Sequence, residues 1–273
     1  MQLDHPLYAP YHVTSPFKLA SIDTSDTQGW KKEDAKVKRA QNREEIAELQ
    51  ERLYAEGKRS VLLVLQAMDA AGKDSTIESI TRGVNPQGVH VTSFKAPSKE
   101  ELAHDFLWRV HDHAPRKGTI GIFNRSHYED VLIVKVKGFA PPALVEKRYG
   151  HISDFERLLA DHGTRIVKVM LYASKDHQLE RFRQRLEEPS KWWKFNPADL
   201  KERELWDQYM AAYETALNRT STDYAPWYVV PAEKKWFRTL VVSQLLLDTL
   251  KQMNPKYPPP SFDPAEFPPD SLV

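Results

Sequence analysis

The residues best suited to chemistry form a short loop directly after an apolar run. The run Ser60–Gln66 reads SVLLVLQ, and the segment that follows it reads AMDAAGKDST. In such a loop Gly72 lets the backbone approach an anion closely, Lys73 adds a positive charge, and the N-terminus of a following helix attracts anions as well. The pattern therefore predicts a phosphate-binding loop. Its residues are Asp69, Ala70, Ala71, Gly72, Lys73 and Asp74.

This loop departs from the usual phosphate-loop pattern G-x-x-x-x-G-K-[ST] at two positions. Ala67 stands at the first glycine, and Asp74 stands where a serine or threonine usually binds Mg²⁺. Carboxylates are hard oxygen ligands, so Asp69 and Asp74 could bind a metal in place of that hydroxyl. The alternative is an ordinary strand-to-helix turn with a solvated lysine and aspartate. A Gly-Lys pair in the short loop after a predicted buried strand favours the phosphate loop.

A second polar cluster follows another apolar run, TIGIF, at 119–123. Residues 124–130 read NRSHYED. Arg125 could stabilise charge on a phosphoryl group in transfer, and Glu129 with Asp130 forms a carboxylate pair suited to Mg²⁺. A polar loop that only caps the next element is the alternative, because strand-end loops are polar in most proteins.

A third cluster is basic and rich in tryptophan. Arg181 and Arg185 are four residues apart, which places them on one face of a helix. Arg183 lies in the same predicted helix, and beyond that helix Lys191 and Lys194 flank Trp192 and Trp193. A mobile lid that closes over phosphates would have this composition, whereas the alternative is a solvated helix face.

The elements that must position these clusters alternate along the chain. Strands are predicted at 60–66, 89–94, 119–123, 165–172 and 227–230. Helices are predicted at 31–57, 98–111, 141–162, 175–186, 197–219 and 232–253, with Ser98 and Glu101 as a capping box. This alternation predicts an α/β fold with a doubly wound parallel sheet of about five strands, in which ligands bind at the carboxyl ends of the strands.

The predicted domain spans residues 31–253, with a lid at about 175–200. An irregular segment, residues 1–30, precedes it. A proline-rich tail, residues 254–273, follows it and is expected to be extended or disordered.

The composition limits the class of function. Basic and acidic residues number 39 and 38, and this near-neutral balance argues against a dedicated nucleic-acid binder, although a local basic cleft remains compatible with it. The chain has no cysteine, which excludes disulfides and thiolate metal sites. No signal peptide and no segment that could span a bilayer is recognisable, so we expect a soluble cytoplasmic protein without a membrane partner.

The three clusters together resemble the polyphosphate kinase 2 family. The resemblance extends from about residue 31 to 253 and includes LQAMDAAGKDSTI, FLWRVHDHAPRKGTIGIFNRSHYEDVL and RFRQRLEEPSKWWKF. It implies a P-loop kinase fold similar to thymidylate kinase, with a helical lid. It also implies transfer of the terminal phosphoryl group of inorganic polyphosphate to ADP and AMP, with guanine nucleotides as further acceptors. Mg²⁺, or alternatively Mn²⁺, is the implied cofactor, and a dimer or tetramer is the implied homo-oligomer.

The resemblance also implies roles for single residues. Asp69 and Lys73 match the loop residues that serve metal and phosphate, and Arg125 matches the arginine that contacts the phosphoryl group in transfer. Asn124 stands where many members have an aspartate, and we include it among the phosphate- and nucleotide-binding residues. The lid residues that match are Arg181, Arg185, Lys191 and Lys194.

Glu129 indicates the subgroup. Members that act only on monophosphates or only on diphosphates tend to read NRSWYN, whereas NRSHYED resembles class III, which phosphorylates both AMP and ADP. We therefore predict a catalytic set of Asp69, Lys73, Arg125 and Glu129, with Asp69 and Asp130 as metal ligands. Two alternatives stay open: an ATP-dependent nucleoside monophosphate or thymidylate-type kinase on the same fold, and a non-catalytic nucleotide-binding module.

Overall fold

A five-stranded parallel sheet forms the centre of the computed structural model, which describes residues 3–268. The strands are β1 Ser60–Gln66, β2 Val89–Ser93, β3 Ile120–Asn124, β4 Thr164–Tyr172 and β5 Trp227–Pro231. Their order in the sheet is β2-β3-β1-β4-β5, and every neighbouring pair is parallel. The predicted doubly wound parallel sheet is confirmed, and each strand begins and ends within one residue of its predicted bounds.

The helices pack on both faces of this sheet. They are α1 Lys32–Glu56, α2 Lys73–Thr81, α3 Lys99–Leu102, α4 Trp108–His111, α5 Ile133–Lys137, α6 Pro142–Asp161, α7 Lys175–Glu187, α8 Ala198–Glu204, α9 Trp206–Thr220 and α10 Lys235–Met253. On one face α1, α2 and α10 contribute to the core, and on the other α6 and α9 do so. No helix within residues 3–268 is both long and apolar enough to cross a membrane.

Strand β1 shows why its sequence is a continuous apolar run. Leu63 and Leu65 belong to the core cluster that contains α1 and α10, whereas Leu62 and Val64 belong to the cluster that contains α6 and α9. Both faces of the strand are therefore buried, so no polar residue alternates with the apolar ones, as is usual for central strands of parallel sheets.

Two predicted helices are interrupted. The predicted capping box at Ser98 is present, but α3 ends at Leu102 because the Asp105 carboxylate accepts a hydrogen bond from the Leu107 amide at 2.9 Å, a local turn that competes with the helix. The predicted helix at 197–219 divides at Leu205, which has φ −92° and ψ 16°. This break separates α8, which has no buried residue, from α9, whose inner face is buried in the core.

Within residues 3–31, the segment before α1 contains two short 3₁₀ turns, Ala9–Tyr11 and Leu19–Ser21, and it packs against the domain. Leu7, Tyr8 and Tyr11 lie in the same core cluster as α10, and the Tyr8 hydroxyl donates to the Asp248 carboxylate at 3.0 Å. At the other end, residues 254–268 contain only a short 3₁₀ turn, Pro264–Glu266. The remainder of the predicted tail, residues 269–273, lies outside the described residues.

A buried ionic network connects β4 to the helices on one face. Lys168 of β4 and Glu156 of α6 both have fully buried side chains, and Lys168 Nζ lies 2.6 Å from Glu156 Oε2. The Tyr128 hydroxyl donates to Glu156 at 2.8 Å, and Lys168 donates to the Thr220 carbonyl at 2.7 Å. Burial by itself would raise the pKa of Glu156. Its interactions with Lys168 and His127 outweigh burial and hold that pKa below its ordinary value. The network fixes the segment that follows β3, because Tyr128 belongs to it.

We predict that Lys168→Met destabilises the protein by about 3–5 kcal/mol, because it leaves Glu156 buried without its counter-charge. The free energy of unfolding is measured by urea denaturation with circular dichroism. The double variant Lys168→Met/Glu156→Gln is expected to be more stable than Lys168→Met alone. A double variant as unstable as the sum of both single variants would show that the two charges do not interact.

A second ion pair connects the segment after β3 to α6. Arg148 donates to the Asp130 carboxylate at 2.9 Å, and both side chains are largely buried. Burial raises the pKa of Asp130 from 3.8 to about 6, although Arg148 and Arg109 oppose this shift. The folded protein therefore binds the proton of this carboxyl group more tightly than the unfolded chain does.

This shift predicts a pH dependence of stability. Between pH 3.8 and about pH 6, Asp130 is protonated in the folded state and ionised in the unfolded state. The contribution of Asp130 to the free energy of unfolding therefore falls as pH rises through this window. Asp130→Asn should remove a decline of up to about 1.4 kcal/mol per pH unit over this window. Urea denaturation of both proteins at several pH values measures it, and Asp161→Asn, at the exposed end of α6, is the control. Parallel pH curves for wild type and Asp130→Asn would contradict the prediction.

Candidate functional site

A cleft of about 560 Å³ opens at the carboxyl ends of β1 and β3. These strands are neighbours, with Leu65 paired to Asn124, so the loop after β1 and the segment after β3 lie side by side. Residues of the loop after β1, the ends of β2 and β3, and the predicted lid line the cleft. All the predicted site residues line it except Ala71, Glu129 and Asp130.

The loop after β1 has the backbone conformation of a tight anion-binding turn. Ala70 has φ 65° and Gly72 has φ 100°, and α2 begins directly afterwards at Lys73. Ala71 is buried behind the loop surface. Positive φ is uncommon for a residue other than glycine and is concentrated at functional sites. Arg125 also has a positive φ, 62°, so two such residues meet at the floor of this cleft.

Lys73 lies folded back over the loop. Its Nζ atom donates to the Ala67 carbonyl at 2.9 Å. Burial lowers the pKa of Lys73, and the nearby Asp69 carboxylate opposes this only in part. A phosphate in the cleft would favour the charged ammonium group, so phosphate binding and the protonation of Lys73 are coupled.

Arg125 occupies the centre of a cluster of charges. Its Nη2 atom donates to Asp69 Oδ1 at 2.6 Å, and its Nη1 atom lies 3.9 Å from Glu129 Oε2. The other carboxylate oxygen of Glu129 accepts a hydrogen bond from Gln66 at 3.0 Å. The four predicted catalytic residues therefore lie together, although Glu129, unlike Asp69, Lys73 and Arg125, does not line the cleft.

The carboxylates of the loop are the residues able to bind a metal ion. Asp69 and Asp74 both line the cleft, and Asn124 donates to Asp74 Oδ1 at 2.7 Å. No group of three or more histidine, aspartate or glutamate side chains within residues 3–268 forms a ready-made metal site. Two carboxylates in an open cleft fit Mg²⁺, which retains water ligands and shares its coordination with substrate phosphates.

Asp130 does not join these carboxylates. It follows Glu129 in the sequence, which suggested a metal-binding pair, but the two residues have different partners. Glu129 contacts Gln66 and Arg125, whereas Asp130 contacts Arg148 on α6 and lies outside the cleft. The position of Asp130 therefore does not support the predicted role as a metal ligand.

The predicted lid forms the opposite wall of the cleft. It consists of α7, the 3₁₀ turn Pro189–Lys194 and α8. Arg181 and Arg185 both line the cleft, and Lys191 and Lys194 join them. Arg185 is held from within the lid, because its Nη1 atom donates to the Lys194 carbonyl at 2.9 Å and lies 3.8 Å from the Asp199 carboxylate.

Two residues that the sequence analysis did not single out also belong to this site. Asp199 of α8 lines the cleft, and burial followed by the charge of Asp69 raises its pKa. Gln178 of α7 donates to the Asp69 carbonyl at 3.1 Å and so connects the lid to the loop. Neither residue belongs to a recognisable sequence motif. Both are placed at the site by contacts with residues that are distant in the sequence, which a sequence pattern does not indicate.

Comparisons with known proteins point to one family. The family described as "Polyphosphate kinase 2 (PPK2)" matches residues 26–258. The AMP/ADP-polyphosphate phosphotransferase of Meiothermus ruber is 53% identical over 247 residues, which cover 89% of this chain and 92% of that protein. The ADP-polyphosphate phosphotransferase of Rhodopseudomonas palustris is 48% identical over 79% of this chain and 78% of its own length.

A solved structure gives the same result. The polyphosphate kinase 2 of Arthrobacter aurescens TC1 superposes with a TM-score of 0.92 at 48% identity and covers 94% of both chains. The family match spans most of the sequence, and the structural match spans nearly all of the fold that positions the cleft. The chain belongs to the polyphosphate kinase 2 family.

Proposed function

We propose that this protein transfers the terminal phosphoryl group of inorganic polyphosphate to ADP and to AMP. The observation that carries the proposal is the cleft, in which a phosphate loop, a strand-end arginine and a basic lid converge on one volume. The relatives named as AMP/ADP- and ADP-polyphosphate phosphotransferases support this choice of donor and acceptor.

The charge of the cleft suits two polyanions. Among the described residues, seven basic and three acidic side chains line it. The donor and the acceptor repel one another, so their phosphates approach only where this repulsion is neutralised. Lys73 and Arg125 provide positive charge on the floor of the cleft, and the lid arginines provide it from the opposite wall.

The reaction asks little covalent chemistry of the protein. The bond between the terminal phosphorus and the bridging oxygen breaks, its electron pair remains on the shortened chain, and an oxygen of the acceptor phosphate forms the new bond. That oxygen is already ionised, so no strong base is needed. Positioning and charge stabilisation supply the rate, and Arg125, oriented by Asp69 and Glu129, is placed to stabilise the phosphoryl group in transfer.

We propose Mg²⁺ as the cofactor, with Mn²⁺ as an alternative ion, and Asp69 with Asp74 as its protein ligands. A bound divalent cation would neutralise charge on the phosphate oxygens that it contacts. Asn124 orients Asp74 through its side-chain amide, which keeps that carboxylate at the cleft. Guanine nucleotides as further acceptors, a dimer or tetramer, and a cytoplasmic location stay predictions.

Supplying AMP with either long-chain polyphosphate or ATP tests the proposal directly. With polyphosphate and Mg²⁺ we expect ADP to form first and ATP to follow, as measured by chromatography over time. Turnover with ATP but not with polyphosphate would favour an ATP-dependent nucleoside monophosphate or thymidylate-type kinase. Nucleotide binding without turnover on either donor would favour a non-catalytic binding module.

Asp69→Asn is expected to lower kcat about 100-fold or more, the loss typical of removing one charge-stabilising group, while folding is retained. The variant loses one metal-binding oxygen and the anionic partner of Arg125. Steady-state kinetics at several Mg²⁺ concentrations measure the effect. Asp130→Asn should keep the wild-type Mg²⁺ dependence, since Arg148 holds Asp130 outside the cleft. Undiminished activity of Asp69→Asn would remove Asp69 from the mechanism.

Glu129→Asn should lower the rate with AMP relative to that with ADP. The substitution introduces the residue that family members acting only on monophosphates or only on diphosphates tend to have at this position. It also removes the negative charge that lies 3.9 Å from Arg125. We expect the ratio of kcat/KM for AMP to that for ADP to fall about tenfold, a change of about 1.4 kcal/mol. Glu129→Gln, which keeps the side-chain length, is the matched control. An unchanged ratio in both variants would exclude Glu129 from acceptor selection.

A further inference from the structure

A buried arginine that does not itself line the cleft contacts the turn that follows the phosphate loop. Arg238 is in the first turn of α10 and is 6% exposed. Its Nε atom donates to Thr76 Oγ1 at 3.0 Å, and its Nη2 atom donates to Ser75 Oγ at 2.7 Å. Its Nη1 atom donates to the Ala232 carbonyl at 2.8 Å. Two of the three hydrogen bonds are thus directed at the first turn of α2.

These hydrogen bonds continue to Gly72. The hydroxyls of Ser75 and Thr76 donate to the Gly72 carbonyl, at 3.1 Å and 3.0 Å. A hydroxyl that has donated its only proton can still accept, and a guanidinium group can only donate, so each hydroxyl relays a hydrogen bond from Arg238 to the loop. A Cβ atom on residue 72 would clash with the guanidinium group. The φ of 100° therefore favours glycine at residue 72, and a side chain there would also displace the Arg238 guanidinium group from its hydrogen bonds.

The charge of Arg238 has no anionic partner nearby. Its three hydrogen bonds go to hydroxyl and carbonyl oxygens, and no ion pair joins it to a carboxylate in the described part of the chain. Burial, and to a smaller extent Arg181, lowers the pKa of Arg238 to about 10, which leaves it protonated at neutral pH. A buried charge without a counter-charge is unfavourable. A neutral side chain would support the loop at a lower cost, which suggests that the charge itself has a use.

The positive charge of Arg238 could offset negative charge in the phosphate loop. Asp69 and Asp74 are carboxylates within or beside the phosphate loop, and both would repel a phosphate if they were left uncompensated. Arg125 pairs with Asp69, and Asn124, which is neutral, contacts Asp74. Arg238 contacts Ser75, the residue next to Asp74, and is placed to lower the negative potential of this part of the loop.

We propose that Arg238 is a positioning residue of the phosphate-binding site. Its guanidinium group fixes Gly72 and the first turn of α2 in the conformation that binds anions, and its charge is balanced by the phosphate chain in the cleft. The inference rests on the proposed function, because that function places a phosphate chain there.

Titration calorimetry with sodium tripolyphosphate, on the full chain, tests the proposal. Arg238→Gln should weaken the affinity for tripolyphosphate about tenfold, a difference of about 1.4 kcal/mol. Arg238→Lys keeps the charge but cannot reproduce the three-way fork, so its affinity should fall between those of wild type and Arg238→Gln. Steady-state kinetics should show the same order in KM for polyphosphate.

Arg59→Gln is the matched control. Arg59 lies just before β1, at the opposite end of the sheet, and donates to the Met253 carbonyl at 2.7 Å and to Glu56. Its loss should lower the free energy of unfolding without changing the affinity for tripolyphosphate.

The outcomes separate the alternatives. If Arg238→Gln is less stable but binds tripolyphosphate as wild type does, the residue is only structural and the inference is overturned. If Arg238→Gln does not fold, Arg238→Lys decides: a loss of about threefold or more supports the inference, and wild-type affinity overturns it. If wild type itself does not bind tripolyphosphate, the proposed function fails, and this inference fails with it.

Discussion

One backbone hydrogen bond joins the two halves of the site. The amide of Arg125 donates to the Leu65 carbonyl at 3.0 Å, immediately beyond the last pair of the β1–β3 ladder. Segments about sixty residues apart in the sequence are thereby held edge to edge. After this bond the chain turns through a left-handed conformation at Arg125, and the side chain reaches Asp69 on the neighbouring loop. Every charge contact on the cleft floor depends on the pairing of these two strands.

The cleft contains more positive than negative charge, and its carboxylates form ion pairs with two of its arginines. Asp69 pairs with Arg125, and Asp199 approaches Arg185, so an arginine from each wall has an internal partner. A phosphate that enters the cleft competes with these carboxylates for the same guanidinium groups. Binding is then an exchange of anionic partners, which costs less reorganisation than ordering flexible arginines from solvent would.

The sheet was predictable from sequence because its strands are buried on both faces. β1 is a continuous apolar run with a phosphate-loop motif at its end, and such a run admits few other interpretations. The interruptions at Asp105 and Leu205 were not predictable, because they result from a local side-chain hydrogen bond and from a change in packing environment. Helical periodicity alone does not register either effect.

The sequence predicted which residues come together at the cleft where they belong to a motif, and not elsewhere. Asp69, Lys73 and Arg125 lie at strand ends, and sheet topology brings strand ends together. Glu129 and Asp130 show the limit, because adjacent residues of one turn have partners on different elements. Arg238 shows it again: nothing in its sequence neighbourhood distinguishes a buried arginine from the many exposed ones, and only the packing of α10 against α2 does so.

The lid contributes little to the core, and this has an evolutionary consequence. In α7 only Gln178 and Phe182 are buried, and neither the 3₁₀ turn Pro189–Lys194 nor α8 has a buried residue. Substitutions there cost little folding free energy, since surface changes are usually close to neutral. Exposed lid side chains can therefore change, and with them the charge along one wall of the cleft, while the sheet and the phosphate loop remain unchanged.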